Sequence, residues 1–272
     1  MRILFLGDVI GRGGREAVCE QLPDLRQKRD IDFVIVNCEN AAGGAGVTRT
    51  IVGDLLAAGV DALTSGNHVW DQREVFDFMD SEPRLLRPMN YPAQTPGRGV
   101  SLLSARNGAQ VMVMNVMGQV FMPAAMDDPF AAIEVQLAQC PLGEVADAVV
   151  IDFHGEATSE KMAMGHFADG RASLVVGTHT HVPTADCQIL PSGTAYQTDA
   201  GMCGDYNSVI GMDKEVSLAR FTHKMHMGRF KPAAGDVTLC GTLVETAPSG
   251  LALSIEAIRL GGRLAEAAPW LD

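Results

Sequence analysis

Short, fully apolar runs alternate with amphipathic stretches through the first half of the chain. Residues 3–6, 33–37 and 61–64 read as strands, and residues 16–28, 48–58 and 69–79 carry helical spacing. Strands alternating with helices predict βαβ units around a buried, largely parallel sheet. The Pro- and Gly-containing stretch 87–99 breaks the rhythm and reads as a long surface loop.

The second half carries more strand. Residues 100–104, 110–116, 148–153 and 174–176 are strand-like, with further β-like runs at 188–190, 194–197, 216–221, 236–246 and 252–259. Helical spacing returns at 133–139 and 160–167. The expected class is α/β, with a second sheet facing the first and helices outside both. No repeat, low-complexity tract or linker divides the sequence, so residues 1–272 read as a single domain.

Composition narrows the class. With 47% hydrophobic and 20% charged residues, the chain has ample apolar surface to offset its ordering entropy, which excludes disorder. No apolar run approaches the roughly 18 residues that span a bilayer. The opening Met-Arg and residues 3–6 are too short for a signal-peptide core. The six cysteines are dispersed without a CxxC pair, which predicts reduced thiols and a cytoplasmic protein with no membrane partner. Twenty-one basic against 33 acidic residues leave a net charge of −12, which argues against an extended nucleic-acid partner.

The chemistry lies at the strand ends. Asp8 follows the first strand, Glu39 and Asn40 the second, and Asn67 and His68 the third. His154 follows the strand at 148–153, and His179 and His181 follow that at 174–176. Ligands of α/β sheets gather outside the carboxyl ends of the strands, so these side chains should converge. Each alone has a plain structural reading: Asp8 as a turn or cap residue, Glu39-Asn40 as a polar loop, Asn67-His68 as an isolated turn. His179-x-His181 is more specific, because residues i and i+2 of an extended segment reach the same side.

Together, Asp8, Glu39, Asn40, Asn67, His154, His179 and His181 offer oxygen and imidazole donors with no thiolate. That set suits Fe or Mn, with Zn or Mg as further options, and is too large for one four-coordinate ion. It fits two divalent ions about 4 Å apart sharing a carboxylate, an arrangement used in phosphoester hydrolysis. Two such ions bring +4 against −3 from Asp8, Glu39 and a bridging hydroxide, about +1 locally. The overall acidity is therefore compatible with a small anionic substrate.

Other motifs carry less. Gly11-Arg12-Gly13-Gly14 lacks the third glycine of a dinucleotide loop and follows Asp8, whose charge would repel a pyrophosphate. His223 and His226 sit in a basic surface stretch, His166 on a solvent-facing helix, and Met112, Met114 and Met117 in a strand core. No GxSxG elbow occurs.

The blocks Gly7-Asp8, Gly66-Asn67-His68 and Gly177-Thr178-His179-Thr180-His181 resemble the metallophosphoesterase (calcineurin-like) superfamily. Residues 37–44 (NCENAAGG), 85–99, 152–161 (DFHGEATSEK), 177–186 and 198–212 resemble the YmdB-type bacterial phosphodiesterases more closely. The superfamily's first block is Asp-x-His, whereas position 10 here is Ile10. In the YmdB-type pattern Asn40 takes the vacant histidine place and Glu39 that of the bridging aspartate. By resemblance Asp8, Glu39, Asn40 and His181 would hold one metal, and Glu39, Asn67, His154 and His179 the other. The family implies a four-layer α/β/β/α sandwich of the metallophosphoesterase type.

The resemblance further implies hydrolysis of a small phosphodiester, with 2′,3′-cyclic nucleotides such as 2′,3′-cAMP as the best substrate. The expected attack is by a metal-bridging hydroxide, with His68 as general acid for the leaving alkoxide. A phosphomonoesterase or nucleotidase with the same metals is one alternative, and a non-catalytic, RNA-associated regulatory protein another. No substrate-binding residue is singled out. Trp70, Tyr91 and Tyr206 lie near the proposed loops as stacking or packing residues, and Arg12, Arg98 and Lys161 are available as phosphate contacts. Oligomeric state is unreadable here, although homo-oligomers are common for such enzymes.

Overall fold

Alternate residues of the first strand, β1 (Arg2–Leu6), enter two different cores. Leu4 and Leu6 join Val18, Leu22, Ile51 and Leu55 on one face. Ile3 and Phe5 join Val111, Val113, Val150 and Val176 on the other. Strand side chains alternate in direction, so a strand covered on both faces must be apolar at every position. This explains the uninterrupted apolar runs in the sequence.

The computed structural model describes residues 1–122, 126–224 and 228–267. After β1 come β2 (Asp8–Val9), β3 (Phe33–Asn37), β4 (Ala62–Thr64), β5 (Val100–Ser104), β6 (Gln110–Met117) and β7 (Ala148–His154). Then follow β8 (Leu174–Thr178), β9 (Gln188–Ile189), β10 (Ala195–Gln197), β11 (Met202–Asp205), β12 (Val237–Thr246) and β13 (Ala252–Leu260). The helices are α1 (Gly11–Lys28), α2 (Arg49–Ala57), α3 (Pro129–Gln139), α4 (Thr158–Phe167) and α5 (Lys214–His223).

Two sheets result. The first runs β2-β11-β12-β1-β3-β4, with β13 on the other edge of β12; the second runs β5-β6-β7-β8-β10-β9. β1, β3 and β4 pair in parallel, as do β6, β7, β8 and β10. Outer-face residues Met112, Met114, Ile151 and Phe153 of the second sheet pack with Ile133, Leu137 and Met164 of α3 and α4. The expected mixed α/β architecture with two sheets is what the chain forms.

Several elements differ from expectation. Residues 216–221 are not a strand but part of α5, where Asp213 accepts from the Glu215 N–H and caps the helix start. The stretch 69–79 is not an α-helix; it holds a turn and the 3-10 segments Arg73–Asp77 and Met79–Ser81. Tertiary tethers override its helical spacing, since Gln72 Nε2 donates to the Ala45 carbonyl and Glu74 accepts from the Arg49 N–H. The first helix starts at Gly11, earlier than its apolar spacing indicates. Gly14 is required there, because a Cβ would lie 2.3 Å from the Cys203 carbonyl oxygen of β11.

The segment 87–99 is partly buried rather than a plain surface loop. The Arg87 guanidinium, 6% exposed, donates to the carbonyls of Pro88, Thr95 and Pro96 and ties the loop to itself. The short pair β2 and β11, absent from the sequence reading, joins Asp8 to Met202 and Val9 to Cys203. His166 is exposed and Met112, Met114 and Met117 are buried, as expected. His223 is exposed, and His226 lies outside the described residues.

Candidate metal centre

The carboxyl ends of the parallel strands of both sheets meet at one edge. β1 delivers Asp8, β3 delivers Glu39 and Asn40, and the turn after β4 delivers Asn67 and His68. β7 ends on His154, and β8 leads into His179 and His181. Asp8, Glu39, Asn40 and His154 are all at most 2% exposed.

Donor atoms of Asp8, Glu39 and His181 lie within 4.8 Å of one another, as do those of Glu39, His154 and His179. Glu39 belongs to both groups and separates them into two neighbouring clusters. Asn67 Oδ1 lies 3.0 Å from His154 Nε2, which adds an oxygen to the second group. His179 and His181 therefore divide between the groups, contrary to the expectation that an extended HxH segment points both rings one way. β8 ends at Thr178, and both histidines adopt left-handed backbone (φ 94° and 66°). Such conformations are costly for non-glycine residues and persist only where the surroundings impose them.

The buried polar atoms test whether cations fit. Asp8 Oδ1, Glu39 Oε1 and Asn40 Oδ1 are buried without a hydrogen-bond donor. Buried acceptors are nearly always satisfied, so three orphaned lone pairs at one edge call for positive charge. Asn40 Nδ2 donates to the Gly44 carbonyl, which leaves its oxygen as the free donor. His181 Nδ1 is 2.8 Å from the Ile210 carbonyl, which makes Nδ1 the protonated nitrogen and leaves Nε2 as a donor 3.8 Å from Asp8 Oδ1. The residues fit divalent metal.

Electrostatics point the same way. Burial drives Asp8 up to about 7, against the pull of His181 and His154. Burial also works to raise Glu39, but contacts with His154 and His68 outweigh it and hold the carboxylate down to about 2. Burial opposes the charge of His154, yet Glu39 and Asp8 overcome it and raise the ring to about 9. His179 is lowered to about 3 by burial and by the neighbouring His154. Without a cation, these groups balance one another's charge with protons.

His68 is placed differently from the donors. Its backbone N–H donates to Glu39 Oε2 at 3.0 Å, while the ring, 40% exposed, sets Nδ1 at 2.8 Å from Asp71 Oδ2. The adjacent cavity, about 400 Å³, is lined by Glu39, Asn40, His68, Glu156, His179 and His181 among others, with no Lys or Arg among the described residues that line it. Lys161 is not free for phosphate: it is 1% exposed and donates to Asp199 Oδ2 and to the Thr178 carbonyl, each at 2.7 Å. Arg12 pairs with Glu16, and Arg98 donates to the Asp80 carbonyl. Trp70 packs against Phe76 and Tyr91, and the Tyr206 hydroxyl accepts from the Met202 N–H. These aromatics hold the loops together.

Sequence reasoning missed the residues behind the donors. Asp199 accepts from Lys161 Nζ, the Thr180 N–H and the Thr180 hydroxyl, clamping the loop between the two histidines. Gly66 is required by close approach, since a Cβ would lie 2.2 Å from His154 Nε2 and 2.4 Å from Glu39 Oε2. Asp152 was legible as a charge inside the apolar run AVVIDFH, a position where an ionisable residue needs partners.

Comparison with known proteins identifies the family. Residues 4–258 match the family model described as YmdB-like protein. A 2′,3′-cyclic-nucleotide 2′-phosphodiesterase of Bacillus subtilis is 49% identical over 245 residues, covering 90% of this chain and 91% of that protein. A crystal structure of a hypothetical protein from Thermus thermophilus aligns with TM-score 0.89 and 44% identity, over 97% of this chain and 100% of that one. That of a novel phosphatase from Mycoplasma pneumoniae aligns with TM-score 0.88 and 33% identity, over 99% and 95%. Similarity of this extent, in sequence and in fold alike, makes the chain a member of the YmdB-like family.

Proposed function

We propose that this chain is a metal-dependent phosphodiesterase acting on small phosphodiesters, with 2′,3′-cyclic nucleotides such as 2′,3′-cAMP as its substrates. One observation carries the reading: two donor groups share Glu39 beside a cavity that also presents His68. The Bacillus subtilis relative, a 2′,3′-cyclic-nucleotide 2′-phosphodiesterase, supports the substrate class. Two ions, Fe or Mn, are the proposed cofactors. Asp8, Glu39, Asn40 and His181 would hold one, and Glu39, Asn67, His154 and His179 the other.

When bound, the divalent ions supply positive charge for the phosphoryl oxygens and acidify the attacking water. The remaining work falls to side chains. Among the described residues that line the cavity none is Lys or Arg, which leaves the donors of Asp8, Glu39 and the histidines to recruit positive charge. His68 presents Nε2 while Nδ1–H is held by Asp71, so Nε2 is the atom that passes a proton to the departing ribose oxygen. Asp71 steadies the ring in that orientation.

We further read the two sheets, with α1 and α2 on one outer face and α3 and α4 on the other, as the four-layer α/β/β/α sandwich. The three separate apolar cores support this reading. We place the protein in the cytoplasm; no helix among the described residues is long and apolar enough to cross a membrane.

Metal analysis of purified protein, followed by a phosphoester panel, tests the proposal. The expected result is two divalent ions per chain and faster cleavage of bis-p-nitrophenyl phosphate than of p-nitrophenyl phosphate. Among natural esters, 2′,3′-cyclic nucleotides should exceed their 3′,5′ isomers. A preference for monoesters would make it a phosphatase, and no turnover of any ester with Mn²⁺ would overturn the enzymatic reading.

A further inference from the structure

We propose that Asp152, acting through the Thr178 hydroxyl, sets the tautomer of His154 and so keeps its Nε2 lone pair available to the metal centre. The inference rests on the reading of His154 as a metal donor and adds two positioning residues to it.

Counting protons fixes the tautomer. A threonine hydroxyl has one proton to give and lone pairs to receive. Thr178 Oγ1 lies 2.6 Å from Asp152 Oδ1 and 2.9 Å from His154 Nδ1. Its proton can serve only one of them. Asn37 decides which. The Asn37 side-chain oxygen accepts the Glu39 N–H at 3.1 Å, so its amide nitrogen is the end that points inward. That nitrogen donates to Asp152 Oδ2 at 3.1 Å and to the Ser65 carbonyl at 3.3 Å, and lies 3.4 Å from Thr178 Oγ1, which it meets as a donor to an oxygen lone pair.

Both oxygens of Asp152 therefore accept. Oδ2 takes the Asn37 amide, and Oδ1 takes the Thr178 proton. Thr178 then has only lone pairs to offer His154, so Nδ1 must carry a hydrogen. Nε2 is left facing Asn67 Oδ1 at 3.0 Å, His179 Nδ1 at 3.2 Å and Glu39 Oε1 at 3.3 Å. The opposite tautomer would put a proton where the ion belongs.

Burial makes the relay decisive. Asn37, Asp152, His154 and Thr178 are all 0% exposed, so bulk water is not at hand to replace any of them. The chain of contacts also crosses between sheets, from Asn37 on β3 to Asp152 on β7 and Thr178 on β8. Partners of this kind behind a metal-bound imidazole typically change affinity by roughly 10- to 100-fold when lost.

Three variants test it: Thr178→Val, which keeps the volume and loses the hydroxyl; Thr178→Ser, which keeps the hydroxyl; and Asp152→Asn. The amide in Asp152→Asn cannot accept on both sides, so it must present a donor either to Asn37 or to Thr178. Two readouts are used, Zn²⁺ and Mn²⁺ affinity by titration and the exchange-protected Nδ1–H resonance of His154 in metal-free protein at a pH above the ring's transition at about 9, where a single ring proton remains. Thr178→Val and Asp152→Asn should each weaken metal binding by roughly 10- to 100-fold. Thr178→Val should also lose the protected resonance, whereas Thr178→Ser should keep both properties. Unchanged affinity together with a persisting Nδ1–H signal in Thr178→Val would overturn the proposal. Should the wild type take up neither ion, the metal reading fails, while presence or loss of the Nδ1–H signal still decides the relay.

Discussion

Asp71 Oδ2 sits 2.8 Å from His68 Nδ1, three residues along the same turn, and fixes the direction in which that imidazole faces. The ring's backbone N–H meanwhile anchors to Glu39. His68 is thus tied to the donor set by its main chain and aimed by its side-chain partner. General acid catalysis is typically worth about 10²- to 10⁴-fold. His68→Ala should retain its metal content and lose turnover by about that factor. Asp71→Asn should cost roughly tenfold, and the double variant little more than His68→Ala alone, because the two act as a unit. Unaltered turnover in metal-replete His68→Ala would remove it from the reaction.

Glu39 is common to both donor groups, so its loss should empty both. Glu39→Gln is expected to bind no divalent ion at concentrations that saturate the wild type, measured by equilibrium dialysis and elemental analysis. The metal-free variant should be less stable than metal-free wild type at neutral pH, since contacts with His154 and the His68 N–H outweigh the burial cost of the Glu39 carboxylate. The rise in Tm that metal confers on the wild type should vanish. Full loading of Glu39→Gln would contradict a shared carboxylate.

Metal uptake should release protons. His154, raised to about 9, is protonated in the metal-free protein at neutral pH, and Asp8, raised to about 7, is partly so. A cation needs the deprotonated forms of both, so protons must leave as it binds. His179, lowered to about 3, has none to lose at its donor nitrogen. Affinity should therefore increase as pH rises from about 6 to 9, with net proton release at pH 7. Calorimetry in buffers of different ionisation enthalpy reads this directly, and uptake independent of pH would count against the donor assignment.

Gly66→Ala probes how tightly the centre is built. Its methyl would occupy space within 2.4 Å of both His154 Nε2 and Glu39 Oε2. Every donor remains, yet metal content should collapse and activity with it. A fully loaded, active Gly66→Ala protein would mean that the donor groups are looser than these close approaches require.

Lys161 and Asp199 form a buried ion pair, each side chain 1% exposed, beneath the His179-Thr180-His181 loop. Removing one partner strands the other's charge, which typically costs about 3–5 kcal/mol. Lys161→Met should lower the denaturant midpoint accordingly with the m-value unchanged. A loss below about 1 kcal/mol would show that Asp199 finds another partner.

The legible part of this molecule is the part governed by local pattern. Buried parallel strands must be apolar on both faces, so β3 and β7 stand out as runs, and the side chains at the carboxyl ends of such runs mark seven candidate donors and His68. The α5 region misleads because Val216 and Leu218 alternate like a strand, while the cap from Asp213 that starts a helix is a matter of three residues. The turn after β4 misleads because its helical spacing loses to tethers from residues remote in sequence, Ala45 and Arg49.

By itself the sequence determined the mixed α/β class and the family, and it marked the candidate donors, because strand pattern and motif blocks follow from residue type, order and spacing. Only the tertiary structure showed the left-handed backbone at His179 and His181 and the burial of Lys161 as a strut against Asp199. It alone also placed Asn37, Asp152 and Thr178 in one chain of hydrogen bonds. Asn37 and Asp152 lie 115 residues apart. No local pattern relates positions so distant; they meet only because two sheets pack face to face and bring their strand ends to a common edge.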